Sequence, residues 1–359
     1  MRVLDRYIAG RFLRALFFSL LVFLTIYVIV DLVEHLDEFI DAHARTGQVV
    51  RYYLNFVPFI LVTTLPVSML LATLFSVGTL SKANELLAMK ASGISLYRVA
   101  LPLLFIGVII SLFSMVIAET VVPASNQARW EIKKIEIEKQ DERRSSLIYN
   151  LYRQGENGRI FRFERYDVTQ TRGYGALVQE FAGKSLRSTT RASEMLWEDS
   201  VWALKIGEER HFVGPDSVTV RTFDYEPRSQ WPERPAVFAQ KYKEPENMGY
   251  FELAARAVTK EKSGADATEE HVGLQFKVAF PFSCFLMVLL GIPIASTPKR
   301  AGFAKSFGIA VGIGFVYFTF TDVLQSLGKA GDLSPYVAAW TMNLLFLAVG
   351  ILLMIAARK

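Results

Sequence analysis

The chain has 359 residues, of which 52% are hydrophobic and 21% are charged, and its formal net charge is +5. An apolar fraction this high at this length argues against a soluble globular protein, and the apolar residues are gathered into long runs. The basic residues lie largely beside those runs, so the positive charge bears on membrane topology and does not indicate nucleic-acid binding. The single cysteine, Cys284, excludes a disulfide framework within the chain.

Six apolar runs predict six membrane-spanning helices, because a helix needs about 20 mostly apolar residues to cross a bilayer. The charged lead before the first run is long for a signal peptide, and no small-x-small cleavage site follows the run, so it is expected to remain as a span. The order of the runs predicts three spans, a large insertion and three more spans. The runs are 15–33, 54–80, 99–118, 274–295, 307–323 and 337–357.

The charges of the short loops predict the orientation of the spans. Lys and Arg residues are abundant before span one, between spans two and three, between spans four and five, and after span six. The opposite short loops hold Arg45, Arg51 and Lys329 beside several acids. Because cytoplasmic loops carry the excess of basic residues, both termini and the loop 79–102 are expected in the cytoplasm, and the insertion outside it.

The insertion, residues 121–270, begins with a charged helical stretch at 126–144 and then has the pattern of a β domain. Short alternating runs separated by Gly, Asp and Pro recur at the spacing of an all-β sandwich or jelly roll, and Phe161 and Phe163 mark an apolar strand face. The predicted fold is a membrane α + β protein with domains at 1–120, 121–270 and 271–359. The aromatic residues expected in the core of the β domain are Trp197, Trp202, Phe212, Phe223 and Trp231.

The loop 79–102 is too polar to span a bilayer but predicts a short amphipathic helix near 82–92. Ser81 is its predicted N-cap, Gly93 its stop, and Ser95 the cap of the next helix. So short a helix is marginal in water and needs a surface to pack on. That surface is either the chain's own bundle or a cytoplasmic partner that docks around Glu85. The candidate docking residues are Lys82, Glu85, Leu86, Leu87, Met89, Lys90 and Gly93.

No pattern of catalytic or metal-ligating residues stands out in the sequence. The four histidines are scattered without metal-ligand spacing, and neither HExxH nor GxSxG occurs. Gly183-Lys184-Ser185 matches only the end of a phosphate-binding loop, because Val178 stands where that motif needs glycine. The chain is therefore expected to be neither an enzyme nor the holder of a metal or cofactor.

Four stretches together resemble the LptF/LptG family, the permease subunits of the lipopolysaccharide export ABC transporter. They are RVLDRYIAGRFL before span one, SKANELLAMKASGIS in the cytoplasmic loop, ETVVPASNQAR after span three and KRAGFAKSFGIAVGIGFVYF opening span five. The resemblance covers nearly the whole chain, and the LDRYI start looks more like the LptG branch than the LptF branch. It implies three spans, a periplasmic jelly-roll-like domain and three further spans, as the apolar runs do.

The resemblance implies a transporter subunit of the bacterial inner membrane. Such a permease pairs with a homologous LptF-like permease, and an LptB-like cytoplasmic ATPase dimer docks below and hydrolyses the ATP. Lipopolysaccharide enters between span one of one subunit and span five of the other, and passes through the β domains to an LptC- or LptA-like bridge. The family's coupling helix falls on 82–92 of this chain, and its acidic coupling residue falls on Glu85.

Three features supply candidate residues for the lipid path. Some family members carry a lysine cluster where span one leaves the membrane, but this chain has DLVEHLDEFIDAHA there, and the nearest bases are Arg45 and Arg51. Lys277, near the outer end of span four, is expected either to snorkel to the interface or to meet an anionic headgroup. The aromatic residues that line either an acyl-chain cavity or the bilayer include Phe23, Phe315 and Phe318.

A face of small residues runs along span five. Ala304, Gly308 and Gly312 recur every four residues, which places them on one side of a helix and permits close helix packing. This face serves either ordinary packing or a mobile gate that meets span one of the partner permease.

A second class of function fits the same pattern of spans. The chain could be a membrane-anchored periplasmic receptor or assembly scaffold, whose β domain binds a protein and whose spans only hold it in place. An intramembrane enzyme has no visible catalytic set in its favour. Energetic coupling separates the two main hypotheses, because a transporter half needs an ATPase that grips the loop 79–102 and a scaffold does not.

Overall fold

The structure is a computed structural model that describes residues 3–138, 147–155, 158–182, 185–212, 218–239, 248–262, 266–296 and 303–357. It divides into two compact units. The first is helical and comprises Met1–Lys133, Pro245–Leu253 and Thr268–Lys359, and the second comprises Lys134–Glu244 and Ala254–Ala267.

Long apolar helices build the first unit. Six helices in the described ranges are long and apolar enough to cross a membrane, which confirms the predicted six spans. In chain order the helices are α1 Val3–Glu34, α2 Leu36–Asp41, α3 Thr46–Lys82, α4 Glu85–Ala91, α5 Leu96–Glu131, α6 Pro235–Ala239, α7 Tyr250–Lys262, α8 Thr268–Ser296, α9 Phe303–Ala330 and α10 Pro335–Ala356. The six spans are α1, α3, α5, α8, α9 and α10.

Helices α3 and α8 form the centre of the bundle. Most of the apolar stretch of each is buried, whereas little of that of α1 or α9 is buried within the chain. Small residues permit the close central packing. A Cβ at Gly291 of α8 would stand 2.9 Å from the Thr73 side chain of α3, and one at Gly107 of α5 would stand 3.6 Å from Phe285 of α8. The chain therefore leaves most of the lateral surfaces of α1 and α9 uncovered.

The third span extends well beyond its apolar run. Helix α5 continues to Glu131, and a π-helical segment, Ile132–Ile137, follows it without a break. The charged stretch predicted to be helical at 126–144 is thus helical as far as Ile137, and residues 139–144 lie outside the described ranges. The first strand begins only at Leu147.

The second unit contains a six-stranded antiparallel sheet whose described strands lie side by side in chain order. This confirms the predicted β domain between spans three and four. The described strands form one meander, whereas a sandwich has two packed sheets. A tight turn joins β4 to β5 at Asp199 and Ser200, both of which have positive φ, as the type I′ hairpin turn requires. The strands are β1 Leu147–Gln154, β2 Arg159–Asp167, β3 Arg172–Ala182, β4 Ser185–Glu198, β5 Val201–Phe212 and β6 Val218–Arg228.

One face of the sheet carries an aromatic core. The rings of Phe161 and Phe163 from β2 are fully buried, which confirms that they mark the apolar face. Phe238 of α6 covers them, with ring centroids 5.1 and 5.2 Å away, and also contacts Trp202 at 5.4 Å. Of the predicted core residues, Phe212 is the exception, because it lies outside this cluster while the other four belong to it or pack against it.

Candidate functional site

The loop 79–102 is organised around α4, and this helix begins later than predicted. Helix α3 runs through Ser81 to Lys82, so the prediction of Ser81 as an N-cap is wrong. The chain reverses instead at Asn84, which has the left-handed φ of 59° that asparagine tolerates better than most residues. Gly93 ends the helix with φ 82°, and the Ser95 hydroxyl accepts a hydrogen bond from the Arg98 backbone N–H at 3.4 Å. The predicted stop and second cap are therefore confirmed.

The side chains of α4 divide between the chain's own core and solvent. Leu86 is only 3% exposed and belongs to the apolar core of the bundle, against which Met89 also packs. The prediction that Leu86 docks directly into a partner is therefore corrected, because its side chain already fills the chain's own core. Leu87, by contrast, is 65% exposed. Lys82 is also exposed, and Lys90 is partly buried in the last turn of α4.

Glu85, the predicted polar centre of this surface, is held by two residues of α1. The Tyr7 hydroxyl donates to Glu85 Oε2 at 2.7 Å, and Arg11 Nη2 donates to Glu85 Oε1 at 3.1 Å. The Arg11 guanidinium also lies over the Tyr7 ring, 4.5 Å from its centroid. Sequence reasoning missed Tyr7 and Arg11, because the predicted first span began only at residue 15; in α1 their spacing of four residues places them on one face.

A second ion pair joins α1 to the start of α5. Arg98 Nη2 lies 2.7 Å from Asp5 Oδ1, and the side chain of Asp5 is largely buried. Ile8 and Phe12, one and two turns further along α1, are fully buried in the same core as Leu86. The first turns of α1 are therefore fixed to the α4 loop by apolar packing with charged contacts around it.

At the end of the bundle opposite α4, Lys277 of α8 pairs with a carboxylate of α5. Its Nζ lies 3.1 Å from Glu119 Oε1. Glu119 also accepts a hydrogen bond from the backbone N–H of Tyr250, at the first residue of α7. A buried ammonium is costly unless it is paired, and this one is paired within the chain, with a partner that the expectation of snorkelling or of a headgroup contact did not include. Sequence reasoning missed Glu119.

Acids dominate the end of span one, as the sequence indicates, but α5 and the π-helical segment after it bring bases to the same place. Lys133 Nζ lies 2.6 Å from Glu38 Oε2, and the Arg129 guanidinium lies over the Phe56 ring, 3.9 Å from its centroid. The candidates Arg45 and Arg51 are exposed at the N-terminal end of α3. The structure thus places Arg45, Arg51, Arg129 and Lys133 at this end of the first unit, and Arg129 and Lys133 contact aromatic and acidic groups of the chain.

The small residues of α9 face two ways. A Cβ at Gly308 or Gly312 would meet no atom within 4 Å, whereas one at Gly314 would stand 2.6 Å from Val67 Cγ2 of α3. Close packing within this chain therefore falls on Gly314. The face of Gly308 and Gly312 is turned away from the bundle, so it meets either lipid or another chain. The side chain of Ala304 lies outside the described part of α9.

The candidate phenylalanines of the lipid path do not share one surface. Phe23 of α1 stacks on Phe307 of α9 with ring centroids 5.8 Å apart, and Phe318 packs against Phe280 of α8 at 6.1 Å. Phe315 is 70% exposed and lies on the outward side of α9. Of these candidates, Phe315 is the one most open to a lipid or a partner helix.

The sequence profile of the family described as "Lipopolysaccharide export system permease LptF/LptG" matches residues 6–356. The chain belongs to the LptF/LptG family. The match includes all six spans and the intervening sheet, so family and fold agree. Members of this family are permeases, that is, transporter subunits, and the six spans make this member a multi-pass membrane protein. Among the described residues, no cluster of three or more His, Cys, Asp or Glu side chains is placed to hold a metal ion.

Curated members of the LptF/LptG family include relatives from both branches. The chain is 23% identical over 369 residues to the lipopolysaccharide export system permease protein LptG of Escherichia coli (strain K12), covering 98% of each chain. It is 27% identical over 124 residues to LptG of Haemophilus influenzae, covering 34% of this chain and 35% of that protein. LptF of Escherichia coli (strain K12) is 30% identical over 88 residues, or 24% of each chain. The full-length similarity to LptG favours the LptG-like branch.

Proposed function

We propose that this chain is the LptG-like permease half of an ABC transporter in the bacterial inner membrane. The transporter extracts lipopolysaccharide from the outer leaflet and passes it to a periplasmic LptC- or LptA-like bridge. The observation that carries the proposal is the family match over residues 6–356, which spans every membrane helix and the sheet. Both termini and α4 lie in the cytoplasm in this proposal, and the sheet lies in the periplasm, in line with the loop charges.

The proposed partner in the membrane is an LptF-like permease, and the surface for it lies on α1 and α9. These two helices have the least buried apolar stretches of the six spans. The exposed glycine face of α9, at Gly308 and Gly312, permits close approach of a second helix, and Phe315 lies beside it. Lipid enters between α1 of one permease and α9 of the other. Arg45 and Arg51 are the exposed bases of this chain proposed to meet its phosphates.

The proposed energy source is an LptB-like ATPase dimer that docks on α4. Leu87 is the docking residue that the exposure of this helix favours, because Leu86 and Met89 pack inward. An exposed leucine on a seven-residue helix is a suitable anchor for a groove in a partner. ATP is hydrolysed by that partner, and no cofactor is assigned to this chain.

The observation that favours the alternative function is the filled core of the β unit. Phe238 and Trp231 close over Phe161 with ring centroids 5.1 and 5.5 Å away, so the apolar face of the sheet is occupied by the chain itself. A membrane-anchored receptor or scaffold needs no channel there. A lipid path along that face requires α6 to move aside.

Co-purification with the ATPase tests the proposal and separates the two functions. Leu87→Asp places a charge where the partner groove is proposed, and loss of such an anchor costs about 2 kcal/mol or more, or roughly thirtyfold in affinity. Val3→Asp is the matched control, because Val3 is also a highly exposed apolar residue on the same side but lies outside α4. We expect the ATPase to be recovered with the wild-type chain and with Val3→Asp, and lost with Leu87→Asp. A chain that recovers no ATPase in any form would favour the scaffold.

A further inference from the structure

The cytoplasmic end of α1 is joined to the α4 loop by two sets of polar contacts, which flank the buried apolar side chains of Ile8, Phe12 and Leu86. Glu85 uses both carboxylate oxygens, Oε2 for the Tyr7 hydroxyl and Oε1 for Arg11. Asp5 pairs with Arg98, which lies one turn into α5. We call these two sets of contacts, Tyr7–Arg11–Glu85 and Asp5–Arg98, the α1 clasp.

We propose that the α1 clasp makes α1 move together with α4, so that a displacement of the docking loop reaches the outer half of the first span. The inference rests on the proposed function, in which α4 meets an ATPase and α1 borders the lipid entrance. Tyr7, Arg11, Asp5 and Arg98 are positioning residues in this scheme: they transmit motion and touch neither nucleotide nor lipid.

The geometry of the α1 clasp allows a displacement of α4 to be passed to α1. Because two donors from one face of α1 occupy both oxygens of Glu85, the carboxylate cannot rotate freely, and its helix is fixed in position relative to α1. The side chains of Arg11 and Glu85 are 28% and 30% exposed, so the contact is partly shielded from water, and screening weakens it less than a fully exposed pair. Leu86 is buried beside it, in the same core as Ile8 and Phe12. Pushing α4 therefore pushes against α1 directly.

Helix α1 is also built to carry a displacement along its length. Its 32 residues, Val3–Glu34, contain no proline, so the helix has no proline hinge over about 48 Å at ~1.5 Å per residue. Three other spans differ, because α3, α5 and α8 each contain two internal prolines. The buried residues of α1 lie between Asp5 and Ser19, and little of its apolar stretch is buried, so its second half can shift without breaking the core. A helix that has no proline hinge and is fixed mainly at its first turns transmits a displacement of that end to its other end.

The efficiency of transport tests the clasp. The chain is reconstituted with its permease partner and the ATPase in proteoliposomes that contain lipopolysaccharide, and two quantities are measured together: ATP hydrolysed and lipid delivered to a soluble acceptor. Arg11→Gln and Tyr7→Phe each remove one contact to Glu85. We expect ATP consumed per lipid to rise at least threefold for Arg11→Gln, and less for Tyr7→Phe, with the ATPase still bound and active. Arg14→Gln is the matched control, since Arg14 carries the same charge but bonds to the Gly10 carbonyl of its own helix.

A charge swap at the second contact separates transmission from mere folding. Arg98→Asp and Asp5→Arg each place like charges together, whereas the double variant restores an opposite pair in reversed order. We expect either single variant to raise ATP consumed per lipid and the double variant to lower it again. Neither residue lies on α4, so ATPase recovery should stay constant throughout.

The outcomes distinguish the clasp from the proposed function. If the wild-type complex moves no lipid with ATP, the proposed function fails. If the wild-type complex works and both the Arg11 and Arg98 variants match it in ATP per lipid, the clasp is overturned. Loss of assembly together with transport in both variants would also overturn it, because the contacts would then only stabilise the fold.

Discussion

Gly308→Leu and Gly314→Leu place the same side chain six residues apart on α9, but only the second meets the chain's own core. A Cβ at Gly314 stands 2.6 Å from Val67 Cγ2, and the rest of a leucine would have to displace that valine. A Cβ at Gly308 meets nothing within 4 Å. The pair therefore separates packing inside the chain from packing against something outside it.

The expected magnitudes follow from these distances. Carbon atoms pack at about 3.5–4.0 Å, so Gly314→Leu overpacks the α3–α9 contact, at a cost of about 1–3 kcal/mol. Gly308→Leu should leave the stability of the single chain unchanged. If α1 of a partner permease packs on the Gly308 face, the same penalty of about 1–3 kcal/mol falls on the gate instead. Each ~1.4 kcal/mol changes a two-state population tenfold, so transport should fall by a factor of several to about a hundred.

Thermal unfolding of the purified chain and a growth assay in cells check this reasoning. Thermal unfolding of the detergent-solubilised chain should be lowered by Gly314→Leu and not by Gly308→Leu. Transport, measured by growth complementation, should be lowered by Gly308→Leu. A pull-down should still recover the ATPase, because its proposed docking helix α4 does not include Gly308. Normal transport with Gly308→Leu would show that this face meets only lipid. Loss of assembly along with transport would show that the glycine is an ordinary packing residue.

Three further predictions concern the rest of the chain. Glu119→Gln should lower the free energy of unfolding by about 1–3 kcal/mol, because it leaves Lys277 largely buried without its carboxylate partner. Adding Lys277→Met to the same chain should restore part of the loss. An unchanged midpoint of thermal unfolding for Glu119→Gln would contradict the pairing. Tyr166→Phe should leave stability unchanged or raise it by up to about 1 kcal/mol, because the Tyr166 hydroxyl is buried with no hydrogen-bond partner among the described residues; a clear loss in thermal unfolding would point to a partner. Burial also raises the pKa of Tyr166 above its usual range. Because the folded chain holds this proton more tightly than the unfolded chain, the free energy of unfolding is unaffected below pH ~10 and falls as the pH rises above it. Tyr166→Phe should therefore be more resistant to alkali than the wild-type chain. A photocrosslinking residue at Phe161 should capture no lipopolysaccharide in the closed β unit, since that side chain is fully buried, and ATP-dependent capture there would mean that α6 moves aside.

Features with a local signal were predictable from the sequence. The spans follow from the thickness of a bilayer and the β segment from alternation and turn residues, and neither requires knowledge of distant contacts. The stop at Gly93 and the cap at Ser95 are local as well, and the structure confirms both. The order of strands in the sheet is not local, and the choice between one meander and two packed sheets could not be made from spacing alone.

The errors at the candidate site have a common physical cause. Leu86 and Leu87 are adjacent on a seven-residue helix, so which of them faces the core depends on where the helix starts. Because the predicted N-cap was Ser81 and the observed one is Asn84, the prediction could not tell which of the two leucines faces the core. The partners of Glu85 and Lys277 lie 74 or more residues away in the chain. No pattern within a window of the sequence encodes such long-range pairs, and only the packing of the helices brings them together.

The central claim is that this chain is one half of an ATP-driven lipopolysaccharide permease. The most direct measurement is transfer of lipopolysaccharide from proteoliposomes that hold the chain, its permease partner and the ATPase to a soluble periplasmic acceptor. The account predicts transfer that requires ATP, requires this chain and is abolished by Leu87→Asp. An assembled complex that hydrolyses ATP yet delivers no lipid, or delivers it equally without ATP, would contradict the account.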